Sequence, residues 1–173
     1  EASRLRKATL LEHDDAVYGV HIGPLDKSDR DELRHYDAII INQDRGSVVV
    51  SNGLHTGGIA EIYMTPKDKL GLGAMQYVLD KYEAEPDRYH TPRIAGAFNW
   101  VHSHRATFGI INFRKPAKVW YETLENGTVF YLPTYTGDEN NPREVVVNKN
   151  GETYKLNMDG TTAQELAEEL FRM

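Results

Sequence analysis

Ala38-Ile39-Ile40-Ile41-Asn42-Gln43-Asp44-Arg45-Gly46-Ser47-Val48-Val49-Val50 sets the reading of the whole chain. Two short apolar runs rich in Ile and Val flank a polar connection that ends in glycine, the pattern of two strands joined by a hairpin turn. Neither run alternates apolar with polar residues, so both predict strands covered on both faces. Further strands are predicted upstream at 17–22 and downstream at 94–100, 108–113, 118–121, 129–132, 144–147 and 153–156. Asn126-Gly127 and Asn150-Gly151 stand where further hairpins would turn. Two stretches carry a helical period instead. Over 67–82, Leu70, Ala74, Tyr77 and Val78 share one stripe between Pro66 and Pro86. From Thr162, a Thr-Ala-Gln-Glu capping box precedes Leu166, Ala167, Leu170 and Phe171 on one face. Many strands with two amphipathic helices predict an α+β layered domain, a single one over residues 1–173.

Composition narrows the chemistry. A chain of 173 residues can bury a real core. No apolar run approaches the length of a membrane span and the first residues do not read as a secretion signal, so a cytoplasmic protein with no membrane partner is expected. The formal net charge of −6 argues against a nucleic-acid partner, which needs a basic face. A few arginines can still build a local site for a phosphorylated small molecule. The absence of cysteine excludes disulfides, thiolate zinc sites and cysteine nucleophiles. His102-Ser103-His104 would put two imidazoles on one strand face, but spacing suggests no third ligand. No metal or other cofactor is expected.

Three stretches can carry chemistry. Glu85-Pro86-Asp87-Arg88-Tyr89-His90-Thr91-Pro92-Arg93-Ile94 runs from charges and prolines into an apolar strand. Pro86 and Pro92 restrict Glu85 and Thr91, and a stiff carboxylate beside an arginine suits acid–base work on an anionic substrate. A solvated loop with a surface ion pair has the same composition. Ser51-Asn52-Gly53-Leu54-His55-Thr56-Gly57-Gly58 follows a strand. Its glycines let backbone approach a ligand, and Asn52, His55 and Thr56 offer side-chain donors; an ordinary strand-ending loop reads the same way. Ser3-Arg4-Leu5-Arg6-Lys7 is either a phosphate grip or a frayed terminus.

Taken in order, these stretches resemble the inosine monophosphate (IMP) cyclohydrolase family, known from archaea with bacterial relatives. The resemblance rests on Ser3-Arg4-Leu5-Arg6, Tyr36-Asp37, Ser51-Asn52-Gly53-Leu54-His55-Thr56, Glu85-Pro86-Asp87 and Thr91-Pro92-Arg93-Ile94-Ala95-Gly96. It is clearest from Tyr36 to Gly96, and Pro133-Thr134-Tyr135-Thr136-Gly137 extends it more thinly. Asp37 departs from the family pattern, which has asparagine there, and sets a carboxylate near a site meant for a phosphorylated ligand. The match also starts part-way into the pattern, as if an amino-terminal strand were missing from the fold.

The resemblance implies a four-layer αββα sandwich of the amino-terminal nucleophile hydrolase type. It implies conversion of 5-formamidoimidazole-4-carboxamide ribonucleotide (FAICAR) to IMP and water in purine biosynthesis, without a cofactor, in a homo-oligomer. Glu85, Tyr36 and Asn52 are then the expected catalytic residues: Glu85 transfers protons, and Tyr36 and Asn52 donate hydrogen bonds. Arg4 and Arg6 are the expected phosphate ligands, Arg93 orients Glu85 or the substrate, and His55 meets ribose or relays protons. Asp37, Gly53, Thr56 and Thr91 complete the expected substrate contacts. Two rivals share the fold: an amide hydrolase, which needs a Ser, Thr or Cys exposed at a mature amino terminus, and a nucleotide-binding protein without catalysis.

Overall fold

The computed structural model describes residues 6–14, 16–26, 35–64, 71–101, 104–136, 142–145, 147, 154–157, 162, 164–166 and 168. Seven strands form one antiparallel sheet in chain order: β1 (Arg6–Asp14), β2 (Val17–Pro24), β3 (Tyr36–Asn42), β4 (Ser47–Ser51), β5 (Arg93–Asn99), β6 (Arg105–Ile111) and β7 (Lys118–Thr123). The hairpin read from the sequence is there. Ile39 pairs with Val50 and Asn42 with Ser47, and Gly46 closes the turn at φ 57°. Between β4 and β5 the chain leaves the sheet for two helices, α1 (His55–Tyr63) and α2 (Gly71–Leu79). The architecture is a mostly antiparallel α+β domain with few helices.

The two faces of the sheet differ. α1 and α2 cover one face, where Ile59, Met75 and Leu79 are fully buried against Val49, Ala95, Ala97 and Ile111. Each such large side chain contributes roughly 1.5–3 kcal/mol by leaving water. α2 lies so close to β6 that a Cβ on Gly109 would sit 2.4 Å from Leu79 Cδ1. Over the other face, Ile110 and Trp120 are buried with Val145, beside Ile94, Phe108, Leu132 and Val147. Toward β4 this second face opens, and Val50 is exposed. The expectation that the Ile and Val runs are sealed on both faces therefore holds for the helix side, while on the second face the described residues leave Val50 exposed.

Three other expectations change. Gly57-Gly58, read as part of a loop, lies inside α1, where tertiary packing outweighs the poor helix propensity of glycine. A Cβ on Gly58 would meet Val78 Cγ1 of α2 at 3.4 Å, so its bareness suits the helix–helix contact. The basic stretch at the amino end feeds an edge strand: Arg6 opens β1, whose Leu10 is exposed. Asn126-Gly127 does turn, with Gly127 at φ 73°, but it delivers the chain to β8 (Thr128–Tyr131), which pairs with β11 (Tyr154–Asn157). A second small ladder joins β9 (Tyr135–Thr136) to β10 (Arg143–Glu144).

The capping box at Thr162 forms, with Glu165 N–H donating to Thr162 Oγ1 at 3.2 Å and Thr162 N–H to the Glu165 carboxylate at 2.8 Å. Residues 67–70 of the predicted helix, Asn150-Gly151, His102-Ser103 and Ala167, Leu170 and Phe171 lie outside the described residues. Among the described residues no helix is long and apolar enough to cross a membrane, and no group of three or more His, Asp or Glu is placed to hold a metal ion.

Candidate active site

The strand register gathers the site at one end of the sheet. Arg6 pairs with Pro24, Ile22 with Tyr36, Ser51 with Ala95 and Arg93 with Ile111, so the start of β1, β3 and β5 and the end of β4 share an edge. Side chains alternate faces along a strand, which sends Arg6 and Tyr36 to the same face across β2 and turns Asp37 to the other. Arg6 stands close enough to Tyr36 for its guanidinium to act on the phenol. The Arg6 Nε is buried with no hydrogen-bond partner. Burial pushes the Tyr36 phenol up from its usual value; the Arg6 guanidinium opposes this and Glu85 adds to it. Its proton stays on at neutral pH and is free to be donated.

Residues 85–91 form a closed loop that aims one carboxylate. Glu85 N–H donates to Thr91 O at 2.8 Å, and the Asp87 carboxylate fills the interior, accepting from Tyr89 N–H at 3.1 Å and from Thr91 N–H at 2.9 Å. Glu85 itself is buried, and its carboxylate faces Arg93 at 3.5 Å. Arg93 is buried too, anchored by Nε donating to Glu83 O at 2.8 Å and lying over the Tyr82 ring at 5.4 Å. An ion pair so enclosed differs from the solvated loop that composition alone allowed.

The Asn-Gly turn meets this pair. A Cβ on Gly53 would stand 2.7 Å from Arg93 Nη1, 3.0 Å from the Glu85 carboxylate and 3.3 Å from His55 Nδ1. A side chain there would have to displace the Glu85–Arg93 pair, so glycine lets the backbone pass with the pair in place. Asn52 fixes the crossing with both ends of its amide, Nδ2 donating to Pro92 O at 2.8 Å and Oδ1 accepting from Ile94 N–H at 2.8 Å. Beyond Asn52 and Ile94 a cavity of about 370 Å³ runs over the open sheet face, floored by Val50, Gly96, Phe98 and Phe108.

Other expected ligands sit deeper or elsewhere. Thr56 is buried and its hydroxyl bonds to Gly53 O at 2.8 Å and to Ser51 Oγ, so it braces the turn. His55 is wholly buried; Nε2–H donates to Ile94 O at 3.0 Å and Nδ1 has no partner. Burial lowers its pKa to about 4, the bond to Ile94 opposing and Arg93 reinforcing. Asp37 faces away from Tyr36 and accepts from His21 at 2.9 Å, with His13 at 3.9 Å. The carboxylate that the sequence set near a phosphate has imidazole partners instead. Thr91 does reach the site edge, in a hydrogen bond with Tyr135. Arg4 lies outside the described residues.

Sequence reading gave no role to Tyr135, Asp87 or Tyr82. Asp87 had a local signal, an Asp placed to close an Asx turn before Tyr89. The other two arrive by tertiary packing.

An IMP cyclohydrolase of Thermococcus kodakarensis is 36% identical over 89 residues, a match taking in 50% of this chain. The chain spans 41% of that relative's length. The family model described as IMP cyclohydrolase-like protein matches residues 4–173. The chain therefore belongs to the IMP cyclohydrolase-like family.

Proposed function

We propose that this domain is an IMP cyclohydrolase that closes the six-membered ring of FAICAR, giving IMP and water. The observation that carries the reading is the meeting of the Gly53 turn with the enclosed Glu85–Arg93 pair, beside the Arg6–Tyr36 pair. Family membership supports a cyclohydrolase, and the relative's name supports the nucleotide. We assign the fold to the four-layer αββα type, supported by the helix layer on one sheet face and by the β8–β11 and β9–β10 ladders near the other.

The chemistry asks little of a cofactor. A carboxamide nitrogen attacks a formyl carbon of the same molecule, an N–C bond forms, and the formyl oxygen leaves as water. That water takes one proton from the attacking carboxamide and one from the formamido nitrogen. Holding the two groups coplanar supplies much of the rate, and the rest is proton traffic and stabilisation of the oxyanion. Glu85 is the proton carrier, accepting from the carboxamide and returning a proton to the departing oxygen. Arg93 holds it in place. Tyr36 donates its free proton to the formyl oxygen, and the second amide hydrogen of Asn52 is a further donor to the same region. Arg6, with its unpartnered Nε, takes the phosphate. The cavity beyond Asn52 offers an apolar floor to the planar ring.

Glu85→Gln tests the reading. Ultraviolet monitoring of ring closure on FAICAR, with no metal or folate added, should show turnover down by at least about a hundredfold, with IMP still bound. Near-wild-type turnover in this variant would remove Glu85 from the mechanism.

A further inference from the structure

We infer that Tyr135 is a second catalytic phenol, whose oxygen accepts a hydrogen bond from the substrate's carboxamide N–H, with Asp87 and Thr91 setting that polarity. The inference rests on the ring-closure reading above. Asp87, as a carboxylate, can only accept. Asp87 Oδ1 takes the backbone N–H groups of Tyr89 and Thr91, and Oδ2 takes the Thr91 hydroxyl at 2.5 Å. The Thr91 proton is thereby committed. In the 2.5 Å contact between Thr91 Oγ1 and the Tyr135 hydroxyl, Tyr135 must then be the donor. Its proton points inward along the chain to Asp87, and its oxygen lone pairs are left for an outside donor.

The place fits the need. β9 and its ladder to β10 bring Tyr135 to the same closed loop that aims Glu85. Burial raises the Tyr135 phenol, and the Asp87 and Glu85 carboxylates act in the same direction, so Glu85 and Tyr135 feel one another. Tyr36 has the opposite polarity, since the guanidinium of Arg6 beside it can only donate and leaves the phenol a proton to give. Two phenols of opposite sense thus flank one carboxyl group. The donor suits the formyl oxygen. The acceptor suits the attacking nitrogen, because a hydrogen bond from an amide N–H keeps the amide in plane and raises electron density on nitrogen. The proton itself still leaves through Glu85.

Nucleotide preference tests the polarity separately from rate. IMP carries the former carboxamide hydrogen on its ring nitrogen, whereas adenosine monophosphate presents a lone pair there. Tyr135→Phe should cut the ratio of IMP to adenosine monophosphate affinity by about tenfold, the worth of one hydrogen bond of about 1.4 kcal/mol, and lower kcat by about 10–100-fold. Asp87→Asn keeps an oxygen for the two backbone N–H groups but offers an amide donor to Thr91, which frees the Thr91 proton to occupy the Tyr135 oxygen. The ratio should fall in that variant as well. A purely structural role would weaken both nucleotides alike. A ratio unchanged in both variants overturns the Tyr135 assignment whatever the wild-type rate. A wild-type chain that binds IMP but does not close the ring of FAICAR overturns the ring-closure reading.

Discussion

Two carboxylates at the same end of the sheet meet opposite fates. Glu85 is enclosed with Arg93, both nearly out of solvent, at 3.5 Å. Asp37 is about one quarter exposed and bonds His21 at 2.9 Å, with His13 beyond. The Asp37 contact is the shorter, yet the Glu85 contact should carry more energy. Removing one partner from an enclosed pair strands a charge without water, whereas a half-exposed pair trades its partner for solvent. Arginine also stays charged at any working pH, while an imidazole does so only when protonated. Permanence of the cation suits the proton-carrying role proposed for Glu85. No such role is proposed for Asp37.

Arg93→Met probes the contrast most strongly. It leaves Glu85 buried without its cation and strips Glu83 O of the Arg93 Nε donor. Urea unfolding at pH 7 should show a loss of about 3–5 kcal/mol. Loss of less than about 1 kcal/mol would mean that Glu85 is as well solvated as Asp37, and the distinction between the two would collapse.

His55 sharpens the picture by showing the same enclosure acting on a base. Its pKa of about 4 lies below the ordinary 6.5, so between those values the unfolded chain binds a proton that the fold does not. Stability therefore rises with pH across that window and falls on acidification, by about 3 kcal/mol in full. His55→Gln can still donate to Ile94 O but does not titrate. The variant should lose this share of the acid sensitivity between pH 6.5 and 4; equal slopes in wild type and variant would mean that His55 is not buried neutral.

How far the sequence disclosed this arrangement depends on the range of the interactions. The Ile and Val runs of β3 and β4 were legible because a strand's composition is local. Glu85 and Arg93 were legible as a pair because Pro86 and Pro92 stiffen the segment between them. Whether that pair was surface or interior was not, since burial comes from Gly53 crossing above it, a contact made by the β4–β5 register. α1 was hidden because Gly57 and Gly58 argue against a helix and only its packing on the sheet and α2 overrides them. β1 was hidden for the opposite reason: an edge strand is mostly solvated, so Arg6–Asp14 lacks a continuous apolar signature. Thr56 and His55 read as outward donors because their residue types are ligand-like, yet the helix start turns both inward. Tyr135 lay in the thinner extension of the family resemblance, and only tertiary packing shows its bond to Thr91.

Asp37→Asn is the smallest test and cuts closest to the comparison. Asparagine retains an oxygen for the His21 Nδ1 bond and removes only the charge, so stability should change by less than about 1 kcal/mol. Turnover should stay within about threefold, because alternation along β3 turns residue 37 away from the face that Tyr36 shares with Arg6. The asparagine found at this position in the family pattern would then be an equivalent partner for His21, not a substrate ligand that this chain has lost. A change of tenfold or more in FAICAR turnover or IMP affinity, with stability intact, would instead bring Asp37 into electrostatic reach of the phosphate. In that case the two carboxylates would be parts of one site, and their difference in burial would reflect distance from the ligand.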